Sequence, residues 1–266
     1  VDQLMQEPVE CEMLCFATHK KLQVCAAQTR ARWCQVPDWM KYYPPRYGPD
    51  LYATGIHFDP DFKPVLQRRL LAVTEDYVVI ADLLDAPQEH TYDWLMHPRG
   101  FRSFAAAEKE FMRHDGQAET KRVSSYRFMT DCDWYRVTSP VLTRWADGLL
   151  QTDIHLLWPK AAEVMIGNRP YAREGAPTEL DRRRVLLARV SGRHARFLSV
   201  IEPYRDQPLI RTVTGVSADR LRVELADGRR QELRIAGFGG DGRRLRVTLT
   251  TTLPGDKQEV VELGKP

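Results

Sequence analysis

The stretch from Gln67 to Gly100, QRRLLAVTEDYVVIADLLDAPQEHTYDWLMHPRG, leaves the chain few folds to choose from. Leu70, Leu71, Ala72 and Val73 form one apolar run, which Glu75-Asp76 break with a turn. From Tyr77 to Leu84 a second run carries Val78, Val79, Ile80 and Ala81 without alternation. A run this short, rich in β-branched residues and bounded by turn residues, reads as a strand covered on both faces rather than as buried helix. Asp85-Ala86-Pro87-Gln88-Glu89 then reads as a second turn, and His90 to His97 as a returning third strand. Alternation puts His90, Tyr92, Trp94 and Met96 on one of its faces and Thr91, Asp93, Leu95 and His97 on the other. Both faces are partly apolar and both carry a histidine. Such a strand asks for cover on both sides, and it is a candidate wall of a cleft.

The same grammar runs through the rest of the chain. Glu10 to His19 and Lys21 to Arg30 alternate as strands, Tyr126 to Val137 and Glu163 to Arg169 read as further strands, and Val141 to Lys160 divides into two about Asp147-Gly148. Arg182 to Tyr204 reads as two strands about a turn at Ser191-Gly192. In the tail, Asp227-Gly228 and Asp241-Gly242 are hairpin signals between alternating strands, so 205–266 reads as a β-meander. Arg and Glu fill its outward positions, and clusters such as Arg182-Arg183-Arg184 read as a solvated face. Phe101 to His114 contains the one helix-compatible stretch, FAAAEKEFMRHDG. Closely spaced strands with one or two short helices predict a large antiparallel β-sandwich, all-β, formed by residues 1–266 as one domain. No phosphate loop or nucleophile elbow is present.

Within this regular pattern, residues 33–64 stand apart. They hold Trp33, Trp39, Tyr42, Tyr43, Tyr47 and Tyr52 among prolines 37, 44, 45, 49, 60 and 64, a density that excludes regular helix or central strand. Long irregular segments in compact domains are commonly functional. The aromatic rings could stack on the apolar C–H faces of sugars, or could pin the segment to the body of the domain.

Composition narrows the function classes. A formal charge of +3 over 266 residues gives no general affinity for nucleic acid, and no apolar run is long enough to cross a bilayer as a helix. The five cysteines are odd in number and contain no CxxC pair, which argues against a zinc knuckle or redox motif and for buried free thiols.

Four residues are candidates for a substrate cleft: Tyr52 and His57 in the aromatic segment, and Tyr92 and His97 in the third strand. Each has an ordinary alternative, a surface role for the first two and a hydrogen-bonded core position for His97. Asp82 interrupts an apolar strand, so its carboxylate must be paired, metal-bound or protonated; Arg68 and Arg69 are the neighbouring cations.

The pattern RRLLAVTEDYVVIADLL, EHTYDWLMHPRG and, further on, RFLSVIEPY resembles the C-terminal β-sandwich of the heparinase II/III-like polysaccharide lyases, the group that includes alginate and heparin lyases. The resemblance extends from Cys11 to about Pro203 and is strongest in EHTYDWLMH. It implies a β-elimination: a Tyr or His base takes the C5 proton of a uronic acid while Asn, His or Arg neutralises the carboxylate. It also implies a helical toroid that supplies most of the catalytic residues and a strand that begins with a His-Asn-Thr segment, both expected upstream of Val1. The sandwich would form one wall of the cleft for an acidic polysaccharide or oligosaccharide, and would have no lyase activity alone. A structural zinc in the intact protein and a periplasmic or secreted location are further implications. The alternative is a non-catalytic carbohydrate-binding or structural β-sandwich module.

Overall fold

The computed structural model describes residues 5–6, 9–34, 63–118, 126, 129–169, 183–240 and 242–264. Every regular element among them is a strand, and every pairing is antiparallel. Two short strands, β1 (Met5–Gln6) and β4 (Trp33–Cys34), pair with each other.

An 11-stranded sheet is built from β2 (Glu12–His19), β3 (Leu22–Ala31), β5 (Val65–Thr74), β6 (Val78–Met96), β7 (Phe101–Ala106), β8 (Lys109–Gln117), β9 (Thr130–Val137), β10 (Val141–Asp147), β11 (Leu150–Trp158), β12 (Ala162–Arg169) and β13 (Arg183–Tyr204). Its path runs β2-β3-β5-β6-β13-β11-β10-β7, with β12, β9 and β8 branching from β13. A 5-stranded sheet, β14 (Ile210–Ser217), β15 (Arg220–Leu225), β16 (Arg230–Ala236), β17 (Arg246–Thr252) and β18 (Gln258–Gly264), is a simple meander. The antiparallel sandwich expected from the sequence is therefore the fold.

Two expected turns are absent. Asp85–Glu89 does not reverse the chain, because β6 continues through it, and Ser191-Gly192 lies inside the unbroken β13. The two long strands pair with each other on both sides of the break: Val78–Asp85 with His194–Ile201, then His90–Met96 with Leu186–Gly192. Between these registers residues 86–89 face Arg193 alone. Extra residues in one strand bend and twist a ladder without ending it, and Pro87 has no N–H to contribute there.

The bend folds the large sheet onto itself. Phe197, Ile154, Leu156 and Trp145 from one side share a core with Tyr92, Trp94, Leu186, Ala188, Val164 and Ile166 from the other. The opposite face of the first part, carrying Val79, Ala81, Leu198 and Val200, packs against Leu221, Val223, Leu233, Ile235 and Phe238 around the 5-stranded sheet. A third cluster, with Trp134, Met165 and Leu187, covers the outer side of the folded-over part, and Leu95 packs against it. The His90–Met96 segment thus has apolar cover on both faces, as its composition requires.

The helix expected within Phe101–His114 is also absent. Those residues form β7 and β8, which pair with β10 and β9. Phe104 and Phe111 pack on Tyr135 at 4.9 Å and 5.7 Å between ring centres, and Phe101 on Trp145 at 5.0 Å. Partners already in sheet form outweigh a weak local helical preference. The turns at Glu75-Asp76, Asp147-Gly148 and Asp227-Gly228 lie between strands as expected. The connection around Gly242 is longer than a tight hairpin and carries Phe238 into the core, where Arg68 donates to the Phe238 and Gly240 carbonyls.

Cys11, Cys25 and Cys132 are free thiols; Cys15 and Cys132 are buried, whereas Cys11 is exposed. Burial, with Asp115, Asp131 and Asp133 nearby, pushes the Cys132 thiol up to about 11.

Candidate functional site

The bend in β6 and β13 opens a pocket of about 380 Å³ lined by Arg30, Asp85, Ala86, Pro87, Arg193 and His194. Three separate pieces of sequence meet there. Arg30 comes from the end of β3, Asp85 to Pro87 from the bulged part of β6, and Arg193-His194 from the facing part of β13. Gly192 has φ +151, a conformation that side-chain-bearing residues rarely adopt, so the strand passes the break without strain.

Asp85 and His194 are register partners, and Asp85 Oδ1 lies 2.6 Å from His194 Nδ1. Arg30 and Arg193 are exposed. Two permanent cations with a third ionisable donor surround one carboxylate, so the pocket carries a surplus of hydrogen-bond donors suited to an anionic ligand. Ala31 and Val65, the last residue of β3 and the first of β5, are paired at the same end, so the 33–64 segment begins and ends beside this pocket.

Of the four residues picked out from sequence, Tyr52 and His57 lie outside the described residues. Tyr92 is fully buried, and its hydroxyl donates to the Arg193 carbonyl at 3.2 Å. It braces the pocket's backbone from beneath. His97 is half-buried just past the end of β6 farthest from the bend. The two described candidates thus occupy different parts of β6, Tyr92 near the bend and His97 past its far end.

Asp82 is paired, as its ordinary reading requires. Arg69 is its register partner and grips both carboxylate oxygens, Nε to Oδ1 at 2.6 Å and Nη2 to Oδ2 at 3.0 Å. The hydrogen bond to Asp82 holds the Arg69 guanidinium above its ordinary pKa.

Reasoning from sequence passed over Arg30, Asp85, Arg193 and His194. The available signal is Pro87 and Gly192 in polar breaks between strand-like segments, which on their own read as two turns. Among the described residues, the side chains grouped closely enough to hold a metal are Asp153, His155 and Glu202, away from the bend on β11 and β13.

No protein-family model and no curated protein matches the chain. Among solved structures it is similar to a heparinase III, at 12% identity and TM-score 0.46 over 98% of this chain and 28% of that one. It is also similar to a heparan sulfate lyase from Pedobacter heparinus, at 13% identity and TM-score 0.42 over 96% and 28%. A mutant of that lyase gives 14% identity and TM-score 0.41 with the same coverage. The chain spans 28% of the length of each of these proteins.

Proposed function

We propose that the chain is the β-sandwich portion of a polysaccharide lyase acting by β-elimination on uronic-acid-containing poly- or oligosaccharides, and that it forms one wall of the substrate cleft. The observation carrying this reading is the basic pocket at the bend, with Arg30, Arg193 and His194 on its rim. Uronates present a carboxylate at each acidic sugar, and guanidinium groups bind such planar anions through paired, charge-assisted hydrogen bonds. The Trp- and Tyr-rich 33–64 segment starts and ends beside the pocket and would supply stacking faces for the rings. The EHTYDWLMH resemblance agrees with this assignment. On this reading the chain binds and orients the polymer, while the base and the carboxylate-neutralising groups belong to a helical toroid.

Calorimetric titration with heparan and alginate oligosaccharides at low salt tests the proposal. Binding is expected to weaken with salt, because it is carried by exposed charge. The double variant R30A/R193A is expected to lose about tenfold or more, since one charge-assisted hydrogen bond contributes about 1.5–3 kcal/mol. No unsaturated, ultraviolet-absorbing product should form. Equal binding of neutral oligosaccharides, or undiminished binding by the double variant, would refute the reading.

A non-catalytic glycan-binding module is the second reading. It draws on a polar trough of about 650 Å³ on the 5-stranded sheet, lined by Arg222, Glu224, Arg230, Glu232, Thr250 and Gln258. Glycan binding abolished by R222A/R230A but untouched by R30A/R193A would favour it.

A further inference from the structure

Asp153 and His155 alternate along β11, so both point to one face, and Glu202 on β13 is the register partner of Asp153. That face also carries Leu157, Leu198 and Val200, which pack against the 5-stranded sheet. The three side chains therefore sit between the two sheets, at the rim where the chain leaves β13 for β14. Asp153 is 2% exposed and Glu202 1%, and one ligand atom from each of the three residues lies within 4.8 Å of the others.

Two carboxylates directly opposite one another on paired strands repel, and burial makes each costly unless it is compensated. Three of their four oxygens are accounted for. Asp153 Oδ2 accepts from Arg144 Nε at 3.3 Å and Oδ1 from the Tyr204 hydroxyl at 3.0 Å. Glu202 Oε1 accepts the backbone N–H groups of Leu209 and Ile210, the latter at 2.7 Å. Capping the β13–β14 connection thus explains one oxygen of Glu202 and leaves the other. Glu202 Oε2 and His155 Nε2 are both buried and have no hydrogen-bond partner among the described residues.

We propose that Asp153, His155 and Glu202 bind a single divalent first-row metal ion, with zinc the best match to their donors. One imidazole nitrogen and two carboxylate oxygens suit zinc, whereas calcium takes six to eight oxygens. A cation between the strands offsets the repulsion and uses both stranded atoms. Arg144 and Tyr204 then act as outer groups that fix the Asp153 carboxylate. Three protein ligands leave a fourth position open, and His155 also borders a cavity of about 340 Å³ lined by Ala105, Leu142, Leu157 and Val213, so an exogenous ligand could approach from that side. The site is independent of the acidic-glycan reading, since it shares no residue with the pocket at the bend.

The test is titration of the chelator-treated chain with zinc alone, followed by calorimetry and elemental analysis after gel filtration. One zinc per chain is expected, with a rise in Tm. H155A and the isosteric E202Q should each weaken binding by at least about tenfold, the lower end of what even outer-group substitutions cost in metal sites. H114A, which removes an exposed histidine beside Asp133, should leave it unchanged. Failure of the wild-type chain to retain zinc overturns the proposal, as does full retention by H155A or E202Q. Should those variants misfold, zinc-edge X-ray absorption on the wild-type chain decides. A shell with one imidazole and oxygen donors supports the site, and one with no imidazole or several overturns it.

Discussion

Arg189 grips Asp93 with both arms of its guanidinium, Nε to Oδ1 at 2.7 Å and Nη2 to Oδ2 at 3.0 Å, across the register that pairs β13 with β6 beyond the bend. The Asp93 side chain is 1% exposed. Tyr126 donates to the same carboxylate at 2.9 Å, and the guanidinium lies 4.9 Å from the Trp134 ring centre. Burial and the neighbouring carboxylate drive the Tyr126 hydroxyl well above its ordinary pKa, so it remains a donor at any working pH. R189A leaves that carboxylate buried without its cation and is expected to cost about 3–5 kcal/mol in urea unfolding. Replacing both partners by apolar residues should cost much less. Equal losses from the single and double replacements would show that packing, not charge pairing, holds this layer.

Gly215 on β14 packs directly against the Leu157 backbone and Cβ on β11 of the large sheet. A Cβ built there would lie 3.0 Å from Leu157 Cβ and 3.1 Å from the Leu157 carbonyl oxygen. G215V is therefore expected to push the meander away from β11 and to lower stability by about 1–3 kcal/mol, the usual range for overpacking. L157A should rescue little of this, because alanine keeps both the Cβ and the carbonyl that stand in the way. Wild-type thermal stability in G215V would mean that the sheets are not in close register there.

Glu232 on the meander's outer face is forked by Arg220 at 2.9 Å and 2.8 Å and bonded by Arg222 at 2.8 Å. Those donors, Arg220 first, hold its carboxyl below the ordinary range. The folded pKa thus lies below the unfolded value of about 4.3. The stabilisation is present above that pH and is lost as pH falls through the folded value. The side chain is 31% exposed, so screening limits the effect to about 0.2–1 kcal/mol. Urea midpoints of E232Q should fall below wild type at neutral pH and converge with it as pH falls through the folded value. A difference that stays constant over that range would rule out ionic pairing as its source.

The amino-acid sequence by itself determined what is local or periodic. Alternation places Tyr92 and Trp94 on one face and Asp93 and Leu95 on the other, and Asp-Gly pairs such as Asp227-Gly228 reverse the chain with little help from outside. Both follow from side-chain geometry within a few residues, and both are found. Pairing with Arg69 was likewise foreseeable for Asp82, because a buried carboxylate next to a strand with two arginines has few other partners.

Tertiary structure decided the rest, because strand pairing couples residues far apart in the chain. Pro87 and Gly192 carry turn signals, but each lies opposite a strand that continues, so their shared irregularity bends one long ladder instead of ending two short ones. The alanine-rich 101–114 segment becomes strand because β9 and β10 offer it partners. Arg30 meets Arg193, and Asp153 meets Glu202, only through register, and a slip of one residue would turn either pair to opposite faces. Local propensity amounts to tenths of a kcal/mol per residue, whereas a buried ladder adds cross-strand pairs and apolar area along its whole length.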